Sequence, residues 1–397
     1  MHDTYLPPVA PVPRADGGRR IRVLVADDSA LMRQGVRRLL EADPTIEVLD
    51  AARDGLDALL KVERLAPDVI VLDVEMPRVD GVTALRMLMD RAPRPVVMFS
   101  SRTAVGTETT VRALGLGAVD YVHKPAAHEP AWLSAVADEL LAKVKRAARA
   151  RVRRPHHVLP RASQAQDVHG YLAAPPPDAA GRPSGQAPTP LRLFASAPAP
   201  DRLLVVGAST GGPRALAELC AALPADLPAA ALIVQHLPAG FTRSLAERLD
   251  QGSALAVAEA REHDAVATGR ALVGPGDFHM KLADGRVTLD QGPRRHGVRP
   301  AVDTTLETAA EAFGPAVLAV ILTGMGEDGT AGARAVKAAG GVVLAEAEST
   351  SVVFGMPRAV IAAGLADEVV PLDRMAAAIM RHLAALPARR ARSAVCA

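Results

Sequence analysis

The sequence predicts an α/β protein made of two doubly wound parallel-sheet domains, a five-stranded one and a Rossmann-like one, joined by a long Pro/Ala-rich linker. Three observations carry that expectation. Short β-branched runs alternate with helical patterns in two separate stretches of the chain, as parallel sheets with crossover helices require. Residues 171–200 hold 8 prolines and 8 alanines among 30, a composition that cannot bury a core and favours extended conformations. At 397 residues, the chain also exceeds what one hydrophobic core usually supports.

Residues 1–20, MHDTYLPPVAPVPRADGGRR, are proline-rich, lack the apolar centre of a signal peptide and read as a disordered leader. The first domain is expected over 21–138. There IRVLVA, IEVLDAA, DVIVLDV, PVVMFS and VDYVH read as strands, and LMRQGVRRLLEA, GLDALLKVERL, GVTALRMLM and TVRALGLG as the helices between them. The segment PAWLSAVADELLAKVKRAARA keeps helical spacing and closes the domain. Residues 139–200 are read as a linker, basic at first and Pro/Ala-rich later. Over 131–200, 10 Lys or Arg stand against 4 Asp or Glu, concentrated in KVKRAARARVRR. With no interleaved aromatics and no recognition helix, that run reads as a solvated helix end, and no nucleic-acid partner is expected.

The second domain is expected over 201–390. RLLVVG, AALIVQH, ALAVAEA, RALVG, AVLAVILTG and VVLAEA read as strands, with helices through RALAELCAAL, FTRSLAERL, TTLETAAEAF and TAGARAVKAAG and a last one from about Leu372. HMKLADGRVTL reads as a hairpin about the Asp284-Gly285 turn. Bulk composition adds exclusions. Hydrophobic residues at 49% supply two cores, and with aromatics at 3% those cores must be filled by Val, Leu, Ile and Ala. A net charge of +2 suggests no special partner. Two cysteines, Cys220 and Cys396, support neither a disulfide framework nor a metal site, which fits a reducing cytoplasm. No apolar run reaches the roughly 18–20 residues of a membrane span, so membrane insertion is not expected; a monomer is.

In a parallel sheet, residues just past the carboxyl ends of the strands converge on one crevice. Asp27 and Asp28 follow the first strand of the first domain, Asp73 ends the third, Ser100 the fourth, and Lys124 follows the fifth. Carboxylates gathered at one edge repel unless a hard cation such as Mg²⁺ joins them through oxygen ligands. Such an arrangement primes one carboxylate for phosphoryl chemistry, with Ser100 and Lys124 able to meet phosphoryl oxygens. Taken singly, Asp28-Ser29 could be only a helix N-cap and Asp73 only the start of a turn. Together with DVEMPRVDG and Lys124-Pro125, the set resembles the receiver domain of bacterial response regulators. The resemblance implies that Asp73 accepts the phosphoryl group and that Asp28, Asp73 and the backbone carbonyl of Glu75 hold Mg²⁺, with Asp27 nearby. It further implies that Ser100 and Tyr121 move as the switch.

In the second domain, LLVVGASTGGPRAL puts Ser209 on a glycine-lined strand-to-helix turn. That turn suits either a nucleophile or a phosphate cradle. Serine needs a base within reach, itself held by a third group. His236 ends AALIVQH, the next strand, and Asp328 lies among Gly324, Gly326 and Gly329 after AVLAVILTG. His263, His279, His296 and His382 are less well placed. Asp303 in PAVDTT competes for the third role but reads as a helix N-cap. Glycines beside Met325 would let backbone amides approach an oxyanion. The G-x-G-x-x-G spacing is absent, and the order Ser, His, Asp departs from the Ser, acid, His order of α/β-hydrolases.

GASTGG, VQHLPAGFT, GPGDFHM, PAVD, LTGMGEDG and FGMPRA, behind a receiver and a linker, resemble the chemotaxis protein-glutamate methylesterases and glutamine deamidases of the CheB family. The resemblance covers about 21–128 and 201–385. It implies a triad of Ser209, His236 and Asp328, an oxyanion hole with the amide of Met325, and Thr210 beside the nucleophile. The activity implied is hydrolysis of glutamyl methyl esters and deamidation of glutamines on methyl-accepting chemoreceptors. A chemotaxis histidine kinase is the phosphodonor it implies, Mg²⁺ serves the phosphorylation, and the esterase step uses no cofactor. Two rivals remain: a regulator whose second domain binds a partner without chemistry, and an esterase for small metabolites.

Overall fold

The structure, a computed structural model, describes residues 19–100, 104–124, 132–152 and 200–389. Most of the expected leader and linker lies outside these residues. In the first unit, β1 (Ile21–Ala26), β2 (Ile46–Ala52), β3 (Val69–Asp73), β4 (Val96–Ser100) and β5 (Asp120–His123) form a parallel sheet ordered β2-β1-β3-β4-β5. The helices are α1 (Ala30–Glu41), α2 (Gly55–Leu65), α3 (Gly81–Arg91), α4 (Ala104–Leu116) and α5 (Trp132–Ala147). The central strands are buried on both faces, which is why they read as continuous apolar runs rather than alternating ones. Ser29, Asp54 and Asp80 cap α1, α2 and α3, each accepting an amide from the first turn. α5 runs past the boundary expected at residue 138, because Leu140, Val144 and Ala147 continue its apolar stripe into the first core.

The second unit holds a seven-stranded sheet ordered β14-β13-β12-β6-β7-β9-β8, every pairing parallel. Its strands are β6 (Leu203–Ala208), β7 (Ala230–Gln235), β8 (Ala256–Glu259), β9 (Arg270–Val273), β12 (Val317–Ile321), β13 (Val342–Glu346) and β14 (Glu368–Val370). The expected hairpin exists as a separate antiparallel pair, β10 (His279–Ala283) with β11 (Arg286–Asp290). Helices α6 (Gly212–Ala222), α7 (Phe241–Gly252), α8 (Val302–Phe313), α9 (Thr330–Ala338), α10 (Met356–Ala362) and α11 (Leu372–Ala385) cover the sheet. The short α10 and the three-residue β14 were not expected: seven and three residues are too few for either periodicity to declare itself.

The two units touch along one face of the first. α4 packs on α6 and α7, and Gly115 of α4 leaves room for Arg248 of α7, whose Nε lies 2.6 Å from where a β-carbon would stand. Tyr121 stacks on Phe241 at 4.9 Å and 15°, and His123 meets the same ring edge-on at 5.3 Å. Beyond α5, Arg151 donates its backbone amide to the carbonyl of Val352 at 2.9 Å and pairs with Glu348 at 2.9 Å.

Candidate active site and phosphorylation site

Sheet topology decides where the chemistry gathers. β1, β3, β4 and β5 end on one edge of the first unit, bringing Asp27, Asp28, Asp73, Ser100 and Lys124 together. Carboxylate oxygens of Asp27, Asp28 and Asp73 lie within 4.8 Å of one another. Lys124 Nζ bridges Asp27 and Asp73 at 2.8 and 2.7 Å. Burial pushes the Asp73 carboxyl up to about 6; Lys124 opposes this and Asp27 reinforces it. Burial works against the charge on Lys124, yet Asp73 and Asp27 outweigh it and hold the ammonium above its usual pKa. Beside the cluster opens a cleft of about 480 Å³ lined by Asp28, Glu75, Pro77, Asp80 and Thr109, among others. A donor set of hard oxygens at this spacing suits Mg²⁺. Ser100, fully buried, accepts a hydrogen bond from Thr110 of α4 at 2.7 Å. Tyr121 is turned inward, its ring against both His123 and Phe241, and burial raises its pKa.

In the second unit β6, β7 and β12 lie side by side, so their carboxyl ends share an edge. Ser209 follows β6 directly. Its amide donates to Thr323 at 3.0 Å, and its carbonyl accepts from Gly212 at 2.8 Å and from the Gln235 side chain at 2.9 Å. Gly211, at φ 80, makes the turn into α6 that a β-carbon would strain. Gly324 is required for a different reason: a β-carbon there would lie 2.8 Å from that of Ser209. The loop after β12 therefore presses on the Ser209 turn.

His236 follows β7, and its Nε2 meets Asp328 Oδ2 at 2.8 Å. The same oxygen accepts the amide of Val302 at 2.7 Å, while Oδ1 accepts those of Asp303 and Gly329 at 2.9 and 3.0 Å. Val302 and Asp303 open α8, so Asp328 sits on a helix N-terminus. Burial alone would raise its pKa, but His236 and these amides prevail and lower it. Asp328 is thus held as a carboxylate 2% exposed to solvent. Among the described residues no hydrogen bond joins the Ser209 hydroxyl to His236; with Nε2 on Asp328, Nδ1 is the nitrogen left for the serine. Catalytic hydrogen bonds are often loose until substrate binds.

Two readings of the sequence are corrected here. Asp303 does not cap its own helix, which Ala301 precedes without a side-chain cap. Its carboxylate instead accepts the amides of Gly329 and Gly332 at 2.9 and 2.7 Å, capping α9 from outside. His296, read as less well placed, lies beside Asp328: its Nε2 is 2.8 Å from Asp303 and 3.9 Å from Asp328. The loop PRRHGVRP is not a strand end, and nothing in its spacing tells that it folds back onto α8. His263, His279 and His382 meet Glu262, the carbonyl of Pro293 and Glu368 respectively. Met325 is half exposed, and among the described residues its amide donates to no acceptor.

Comparison with known proteins converges on one family. A family model for the CheB methylesterase matches residues 204–379, and one for the response regulator receiver domain matches 23–135. A protein-glutamate methylesterase/protein-glutamine glutaminase of Symbiobacterium thermophilum is 50% identical over 366 residues, covering 91% of this chain and 97% of that protein. A Pseudomonas aeruginosa protein of the same name is 45% identical over 368 residues, with 92% and 97% covered. The crystal structure of the Thermotoga maritima CheB methylesterase catalytic domain is 47% identical, spans 45% of this chain and 97% of its own, and aligns with a TM-score of 0.44. Identity at this level along nearly the whole length of its relatives establishes that the chain belongs to the CheB family of receiver-bearing protein-glutamate methylesterase/protein-glutamine glutaminases.

Proposed function

We propose that this chain hydrolyses γ-methyl glutamyl esters, and deamidates glutamines, on chemoreceptors, with Ser209 as nucleophile, His236 as base and Asp328 as its orienting acid. The observation that carries the reading is the hydrogen-bonded pair His236–Asp328 at 2.8 Å, on the sheet edge that also presents Ser209. Ser209 Oγ attacks the side-chain carbonyl carbon while Nδ1 of His236 takes its proton. Negative charge passes to the carbonyl oxygen, where the Met325 amide can donate to it, with Thr210 alongside. As the intermediate collapses, His236 returns the proton to the departing methoxide or amide nitrogen, releasing methanol or ammonia and leaving an acyl-Ser209. Water, deprotonated by the same histidine, then cleaves that ester; glutamate departs and the serine hydroxyl is restored. Asp328 stays ionised and stabilises the imidazolium in both halves.

Regulation follows from the receiver. Asp73 would take the phosphoryl group from a chemotaxis histidine kinase, with Ser100 and Lys124 meeting its oxygens. Asp28, Asp73 and the carbonyl of Glu75 would hold Mg²⁺, which neutralises phosphoryl charge when bound. In the unphosphorylated chain, Arg146 of α5 reaches Met325 Sδ at 3.7 Å, and Arg151 ties the receiver to the 348–352 loop beside the nucleophile turn. Phosphorylation would favour arrangements without these contacts, by no more than the phosphoryl group's differential stabilisation of the two states. No helix of the described residues is long and apolar enough to cross a membrane. A serine-directed fluorophosphonate tests the nucleophile. Mass spectrometry should find the adduct on Ser209, and His236→Ala should slow labelling; an adduct on another serine would overturn the assignment.

A further inference from the structure

Glu346 ends β13 with no exposed surface, and its carboxyl group reaches the loop that holds the nucleophile. Oε2 accepts the amide of Thr323 at 2.7 Å. Thr323 is the residue from which the serine turn hangs. Its carbonyl accepts the Ser209 amide at 3.0 Å, and its Oγ1 donates to the carbonyl of Thr210 at 3.0 Å and accepts the Val353 amide at 2.9 Å. Oε1 is buried and makes no hydrogen bond among the described residues. The hydroxyls facing the group, those of Thr350 and Ser351, already donate to the carbonyl of Ala347 at 3.3 and 3.1 Å.

Such surroundings suit a carboxylic acid: one oxygen accepts from Thr323 while the other, protonated, can donate to a hydroxyl. A carboxylate there would be a buried charge with one oxygen lacking a hydrogen bond, which is costly. Burial pushes the group up to about 7, against the pull of the Thr323 amide and the two hydroxyls. Glu218 of α6, itself paired with Arg214 at 2.8 Å, pushes the same way.

We infer that Glu346 is a positioning residue that works as a neutral acid, pinning the 347–353 loop and Thr323 around the Ser209 turn, and that its ionisation loosens that turn. The inference rests on the triad proposed above. A Ser–His–Asp site on its own gives activity that rises as its histidine base loses a proton and then levels off. Glu346 adds a descending limb above about pH 7.

The test is steady-state ester hydrolysis by the full chain between pH 5.5 and 9.5, comparing wild type, Glu346→Gln, Glu346→Ala and Ser209→Ala. The amide can accept from Thr323 and donate to the hydroxyls without titrating. Glu346→Gln should therefore keep kcat within about twofold at pH 6.5 and abolish the alkaline decline, while Glu346→Ala loses about tenfold in kcat with KM little changed. An alkaline limb that persists in Glu346→Gln, or wild-type kcat in Glu346→Ala, overturns the inference. Should the alanine variant not fold, the glutamine profile alone decides. Receiver groups that titrate are common to wild type and Glu346→Gln, so they cancel in that comparison. Turnover that survives in Ser209→Ala would instead overturn the triad, and so separates the two failures.

Discussion

Replacing Asp328 by asparagine should cost catalysis and stability together, because each of its oxygens receives two donors. Oδ2 takes His236 Nε2 and the Val302 amide; Oδ1 takes the amides of Asp303 and Gly329. Whichever way the new carboxamide turns, its NH₂ faces two hydrogen-bond donors. If it faces the amides of Asp303 and Gly329, two buried N–H groups lose their acceptor, at about 1–3 kcal/mol each. If it faces His236, the imidazole loses its anchor and must take the other tautomer, which in serine hydrolases costs about 10⁴ in kcat. The expected variant is about 2–5 kcal/mol less stable, with kcat down by about 10³–10⁴ and KM changed far less. Methanol release under saturating substrate gives the first figure, and urea unfolding followed by circular dichroism the second. A variant that keeps kcat within tenfold of wild type while remaining folded would refute the role of Asp328.

Other consequences follow from single contacts. Tyr121→Ala removes the stack on Phe241, a contact of about 0.5–1.5 kcal/mol beyond area burial, so esterase activity without phosphodonor should rise by about two- to tenfold and activation by phosphodonor should shrink. Unchanged basal activity would show that this contact does not restrain the site. Gly324→Ala would drive a β-carbon to 2.3 Å from Met356 Sδ and 2.8 Å from the Ser209 β-carbon; kcat should fall at least tenfold with the chain still folded, as read by parallel kinetics and thermal melts. Asp73, raised to about 6 by burial, is ionised at neutral pH only against that resistance. In the unfolded chain it ionises near 3.8, so its burden on stability is absent at pH 3, grows as pH rises and is complete above about 7. Asp73→Ala should therefore be more stable than wild type at pH 8 by on the order of 2 kcal/mol, with the gain fading toward pH 4, in matched urea titrations.

Most of both sheets was legible because most buried strands are short apolar runs with a helix of clear periodicity beyond them; β14, three residues long, was not. Their carboxyl ends were legible too, and that placed Asp27, Asp28, Asp73, Ser100 and Lys124 on one edge and Ser209, His236 and Asp328 on another. What the pattern cannot express is a contact between elements distant in sequence. Asp303 looks like a cap for the helix it begins, yet its carboxylate caps α9, because α8 and α9 pack side by side. His296 reaches Asp303 from an irregular loop whose path no periodicity records. Gln235 and Thr323 read as ordinary strand-end residues, although one side chain holds the Ser209 carbonyl and the other the Thr210 carbonyl. The interface that sets Tyr121 on Phe241 joins residues 120 positions apart across the linker, and only the folded chain reveals it.

Release of methanol from methylated receptor membranes, measured with and without a small phosphodonor and Mg²⁺, tests the Ser209 chemistry and its control by the receiver together. Wild type should release methanol, faster with phosphodonor, while Ser209→Ala releases none yet still takes phosphate on Asp73. Methanol released by Ser209→Ala at the wild-type rate, or a wild-type rate that phosphorylation of Asp73 leaves unchanged, would contradict the account.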